Sequence, residues 1–229
     1  MKPTRYFKVL GHDRRCLHGG NEQWAEPGTP MPPIHGDLVP CWIGYHILTA
    51  DQLVVWLGPE IWEVCDVPPV GPDHLVCKNK HVVRSATLLR QMETWNKKTA
   101  RLFASDCAEH VIHLIPDELR VACDWAIDTA RRYARNYADM DELDAAWSAW
   151  AAEAATGAAA RRATGAAWAA GAAWAAEAAA RAAGDAAGAT WDAARAAGAA
   201  AGATWAAAWD AERHWQSARL WQYLKAKRG

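Results

Sequence analysis

Cys107, His110 and His113 form a Cys-x-x-His-x-x-His run, whose thiol and imidazole groups are the ligand types zinc takes. On a helix, steps of i, i+3 and i+6 spread these side chains around the axis, and the i, i+4 His pair of helical zinc sites is absent. The run therefore predicts a core Cys107 with partly exposed histidines, and no metal. Two further pairs, Cys16 with His18 and Cys41 with His46, have the residue types of a nucleophile and its base. No feature of the sequence brings either pair together. Cys41 is accordingly expected as a small core hydrophobe and His46 as a structural residue beside a turn. No catalytic residue and no cofactor is expected.

The elements that must position these groups fall into two kinds. Residues 1–98 hold ten of the eleven prolines, and this composition switch predicts a boundary near Glu93 to Lys98. The domains expected are a small mixed α+β module over 1–98 and an all-α, Ala/Trp-rich helical bundle over 99–229, α+β in all. In the first, Tyr6–Leu10, Asp37–Cys41, Tyr45–Leu48, Ile61–Val67, Leu75–Val76 and Val82–Met92 read as strands. Ala50–Leu57 reads as a short helix stopped at Gly58-Pro59, and 12–34 as an irregular Gly/Pro-rich loop.

In the second part, Thr99–His113 reads as a helix, and Pro116-Asp117 opens another that runs to about Tyr137. Arg120 is expected to face Asp124 on that helix, and Asp128 to face Arg131 and Arg132. Asp139 with Glu142 three residues on fits a capping box that starts a third helix. From Leu143 to Ala211 the chain is almost all Ala, broken by Trp, Gly and a few charges, and Ala is the best helix former. The segments 184–197 and 198–211 match at ten of fourteen positions, each carrying Gly-Ala-Thr-Trp. Gly184, Gly188, Trp191, Gly198, Gly202, Trp205 and Trp209 then share one helical stripe. A glycine inside a helix costs about 0.5–1 kcal/mol, which close approach of a second helix offsets. The stripe is the expected interaction surface, as a bundle seam or an interface between copies.

Charge narrows the partners. Residues 1–98 carry eleven Lys/Arg against ten Asp/Glu, and the rest fourteen against sixteen, for a net charge of −1. Neither part is a basic platform, so nucleic acid is not an expected partner. Glu177, Arg181, Asp185, Asp192 and Arg195 interrupt the Ala-rich stretch, so a membrane span is not expected either. The N-terminus lacks an apolar leader segment, which predicts a cytoplasmic protein with six reduced cysteines.

Gly36-Asp37-Leu38-Val39-Pro40-Cys41, Gly44-Tyr45-His46, Trp56-Leu57-Gly58 and Trp62-Glu63-Val64, followed by a Val- and Arg-bearing strand near 82–90, resemble a small domain of unknown function in bacterial and phage proteins. In that family the module often precedes a repetitive segment. The second half, from about Ala122 to Tyr223 and most of all Ala211 to Leu220, resembles the Ala-rich helical region of bacterial proteins described as immunity proteins. The Gly-Tyr-His strand, short helix and Trp-Glu-Val strand also resemble the strand layout of ADP-ribosyl-transferring domains. That likeness implies a nicotinamide site from Tyr45, His46 and Glu63, although no paired-acid motif accompanies them. A repeated Ala/Thr helix permits an ice-binding reading, but Thr156, Thr164, Thr190 and Thr204 are irregularly spaced.

The expectation is a non-catalytic protein that binds a protein partner or itself, in the phage- or defence-related setting the resemblances imply. A nucleotide-linked enzyme is the rival, and requires Tyr45, His46 and Glu63 to share one open cleft.

Overall fold

The computed structural model describes residues 4–17, 22–114, 117–146, 148 and 205–225; of residues 114, 118, 119 and 205–209 the backbone alone is described. The fold is α+β. The chain divides into two compact units, Met1–Trp95 with Leu224–Gly229, and Asn96–Tyr223.

The first unit contains two three-stranded antiparallel sheets. One has the order β1-β3-β6, with β1 Tyr6–Leu10, β3 Glu60–Cys65 and β6 Thr87–Gln91. The other has the order β2-β5-β4, with β2 Tyr45–Ile47, β4 His74–Cys77 and β5 Lys80–Val83. Phe7 and Leu48 exchange two backbone hydrogen bonds of 2.8 Å, which joins β1 to the end of β2. Leu10, Trp24, Met31, Tyr45, Ile47, Trp62, Val64, Val83, Ala86 and Leu88 form one buried cluster. Short strands supply most of these residues, because alternate side chains of a strand face one side of it, and Trp24, Met31 and Ala86 join them from the connecting segments.

Three expected elements differ. Asp37–Cys41 is a tight turn rather than a strand, with Val39 and Ile43 exchanging backbone bonds of 2.9 and 2.8 Å. Cys41 there has φ +72°, a left-handed value that a strand excludes. Ala50–Leu57 holds only a single 3-10 turn, Leu53–Val55. Val82–Met92 is two strands, since Arg84 leaves the ladder to bond Ile34 O, Gly36 O and Asp73. The buried histidine pair is satisfied locally: His74 donates from Nδ1 to Pro68 O, and its Nε2 then accepts from His81 Nδ1 at 2.8 Å.

The second unit opens with α1, Lys97–His110, capped by Asn96, whose side chain accepts from Lys98 N and Thr99 N while Thr99 Oγ1 accepts from Asn96 N. α2 spans Asp117–Ala134. It stops where Asn136 turns left-handed (φ +62°), with Tyr137 N bonding Arg132 O and Asn136 N bonding Tyr133 O, a Schellman end. α3, residues 140–146, starts from the expected capping box, Glu142 N to Asp139 Oδ1 at 2.9 Å and Asp139 N to Glu142 Oε2 at 3.2 Å. α4 is Trp205–Lys225.

The arginines of α2 do not make the expected pairs along their own helix. Arg131 reaches Asp106 and Glu109 on α1, Arg132 reaches Glu142 on α3, and Arg120 pairs with Asp117. For Arg131 the reason is burial: its guanidinium gains more from the desolvated Asp106 on the neighbouring helix than from an exposed carboxylate a turn away.

Candidate functional site

A cavity of about 160 Å³ in the first unit is lined by Lys8, Val9, Leu17, Cys41, His46, Leu48, Trp56 and Lys80. Each polar member is brought by a different piece of local structure. Strand alternation buries Tyr45 and Ile47 in the core, and His46 between them is only partly buried. Lys8 is central in β1, an otherwise apolar strand, and its Nζ donates to His46 O at 3.1 Å while lying 5.2 Å from the Trp24 ring centre. The hairpin joining β4 to β5 places Lys80 at the start of its strand, 9% exposed, opposite Cys77. Trp56, at the end of the 3-10 turn, donates its indole N–H to Asn79 O and receives the Lys80 ammonium 5.2 Å from its ring centre.

Cys41 is exposed, which corrects its expected place in the core. The Val39–Ile43 turn fixes it instead: a turn puts its central side chains outside the sheet, where an apolar residue's burial is not available. Its backbone N–H donates to His46 Nε2 at 3.0 Å, and Lys80 Nζ donates to its Sγ at 2.8 Å. A residue other than glycine at φ +72° is held there only when its surroundings over-determine it, and these two bonds do so. Cys41 and His46 are thus brought together, but not as nucleophile and base. Nε2 is occupied by an amide, so the neutral ring carries its proton on Nδ1, and the sulfur's partner is Lys80. The sequence signal for the two lysines was a charge inside the short, otherwise buried strands Tyr-Phe-Lys-Val-Leu and Lys-His-Val-Val; sequence reasoning passed over it.

The electrostatics of the cavity are one-sided. Burial pulls the Lys8 ammonium below the usual lysine range, with Cys16 opposing. His46 is pulled down to about 4, first by burial and then by Lys8 and Lys80. An unfolded chain takes up that proton near pH 6.5 and the folded chain only near 4, so stability falls as pH drops through this window and is level above it. The full shift corresponds to about 3 kcal/mol, and solvent screening of the partly exposed ring reduces it to about 1–2 kcal/mol. His81, lowered by burial and then by His74, acts in the same direction. Glu63 and Glu109, held low chiefly by Arg5 and Arg131, weaken the fold only below about pH 4.5. His46→Gln is expected to remove about half of the loss in urea midpoint between pH 7 and about 5; an unchanged pH slope would show that His46 titrates freely.

The other sequence candidates are dispersed. Tyr45 is buried, its hydroxyl on Pro32 O. Glu63, 8% exposed, is clamped between Arg5 and Arg90 at 2.5 and 2.8 Å. Neither lines the His46 cavity, so the three do not share one cleft. Cys107 is fully buried, which pushes its thiol well up. His110 donates from Nδ1 to Glu212 at 2.7 Å and stacks on Trp215 at 3.7 Å, and His113 is exposed. Cys16 is partly buried, and His18 lies outside the described residues. Among the described residues no three His, Cys, Asp or Glu side chains form a group that could hold a metal. Also among them, no helix is long and apolar enough to cross a membrane. The interaction stripe of Gly184, Gly188, Trp191, Gly198 and Gly202 lies outside the described residues, as do the side chains of Trp205 and Trp209 on α4.

No protein-family model, curated protein or solved structure matches this chain.

Proposed function

We propose that this is a non-catalytic binding protein whose first unit holds a small anion with an apolar body in the Lys8–Lys80 cavity. One observation carries the reading. Two lysines with little or moderate exposure converge on a cavity walled by Val9, Leu17, Leu48 and Trp56, and among the described residues neither has an ion pair. Desolvated ammonium groups are ordinarily paired, and none of the described lining residues is a carboxylate, so a ligand is the natural source of the opposing charge. The apolar walls then select for the rest of the ligand.

Benzoate and its uncharged analogue benzyl alcohol separate charge from shape. Calorimetry is expected to show benzoate binding at least tenfold more tightly, about 1.4 kcal/mol, and weakening with salt and in Lys80→Gln. Equal affinity for the two compounds would remove the anion reading.

A protein partner is favoured by a different observation. Trp42 is 86% exposed at the tip of the Val39–Ile43 turn, flanked by Val39 and Ile43 at 39% and 42%. A rigid tryptophan amid exposed aliphatics is the usual form of an interface anchor. The phage- or defence-related setting for such a partner rests on the sequence resemblance, and self-association through the Ala-rich stripe on the repeat.

A further inference from the structure

We propose that Cys41 captures its ligand covalently, by adding to a carboxylate-bearing electrophile of the α,β-unsaturated class seated in the Lys8–Lys80 cavity. The inference rests on the anion reading above and extends it from reversible binding to bond formation.

Three independent features meet at this thiol. Its sulfur is the acceptor of a lysine ammonium at 2.8 Å, and an ammonium has donors only, so the bond has one sense. A cationic donor on sulfur is the setting in which cysteine reacts as a nucleophile. The residue is exposed and lines the cavity, and its backbone, at φ +72°, is tied to His46 through its amide, so the thiol is presented from a defined position. The other cysteines lack this combination. Cys107 and Cys123 are buried, Cys65 faces Asp66 and burial raises its thiol, and neither Cys16 nor Cys77 lines the cavity.

The chemistry balances without a further reagent. Sulfur forms a bond to the β-carbon of the unsaturated acid, the π pair moves to the α-carbon, and the proton lost from the thiol is returned there through solvent. The product is a thioether with sulfur and hydrogen added across the former double bond. Nothing is oxidised and no group leaves. Lys8 and Lys80 orient the carboxylate, and Val9, Leu48 and Trp56 contact the carbon body.

Iodoacetate and iodoacetamide test this with the unmodified chain, since they present the same electrophilic carbon with and without a carboxylate. With either, an S–C bond forms, iodide leaves and the thiol proton goes to solvent. Peptide mapping after brief exposure is expected to find Cys41 alkylated first among the six cysteines. The ratio of iodoacetate to iodoacetamide rate at Cys41 is expected to exceed that of glutathione, and saturating benzoate to slow the reaction. Lys80→Gln is expected to reduce the Cys41 rate about tenfold and Lys80→Arg to restore most of it. Alkylation of Cys41 no faster than Cys16, Cys65 or Cys77 overturns capture, and if benzoate still binds Cys41→Ser, the reversible anion site survives alone. If benzoate fails to bind and both reagents react at glutathione's ratio, the anion site has failed and capture falls with it.

Discussion

Asp106→Ala is expected to lower the unfolding free energy of the helical unit by about 3–5 kcal/mol, the range for removing one member of a buried charge network. Asp106 is 8% exposed on α1. One carboxylate oxygen accepts from Arg131 of α2 at 2.8 Å; the other accepts from Arg219 at 2.8 Å and the Tyr223 hydroxyl at 2.5 Å, both on α4. Burial and then Asp106 hold the Tyr223 phenol above its ordinary range. Without the carboxylate, two guanidinium groups lose their desolvated partner, and among the described residues Arg131 keeps only Glu109, 57% exposed in its side chain. Glu109→Ala is the contrast, with an expected loss under about 1 kcal/mol because its end of the pair is in water. Against a usual total of about 5–15 kcal/mol, the Asp106 change alone brings the unit near its threshold. Thermal melting by far-ultraviolet circular dichroism checks this, with a Tm drop of roughly 10 °C expected for Asp106→Ala. A drop no larger than that of Glu109→Ala would show that the three helices do not depend on the network.

Gly44→Ala is expected to destabilise the first unit by about 3 kcal/mol and to disable the cavity together with it. Gly44 has φ +128°, a conformation that side chains disfavour, and an added Cβ would lie 2.4 Å from Val82 Cγ1 and 3.1 Å from Leu38 Cδ2. Gly44 lies in the chain between the Cys41 turn and His46, so displacing it moves both. Displacing it loosens the packing that buries His46, the main cause of its low pKa, so His46 is expected to titrate closer to the free value of about 6.5. The control is Gly28→Ala: φ is +84° there but no atom lies within 4 Å of the new Cβ, and only the backbone strain of about 1 kcal/mol remains. Urea unfolding of both variants, with histidine NMR titration of the first, tests the pair. Equal losses would mean that the Val82 contact relaxes freely.

The sequence by itself determined whatever depends on neighbours along the chain. The α+β class, five of the six strands by centre, the starts of α2 and α3, and the Asp139–Glu142 cap follow from period, proline and capping chemistry, all of which act within a few residues. The Asp37–Cys41 segment was misread because an apolar run and a tight turn share the same residues, and only pairing partners choose between them. Tertiary structure alone decided the partners of charges. Lys8, Cys41, His46 and Lys80 come from four segments separated by up to 72 positions, and nothing local ties either lysine to the Cys41–His46 pair. Asp106 finds Arg219 at a separation of 113 residues. Such pairs form because burying other, apolar residues fixes where the backbones cross, and desolvation then makes a correctly placed opposite charge worth several times an exposed one. The period of a helix or strand says which face is apolar; it carries no information about which distant charge that face will meet.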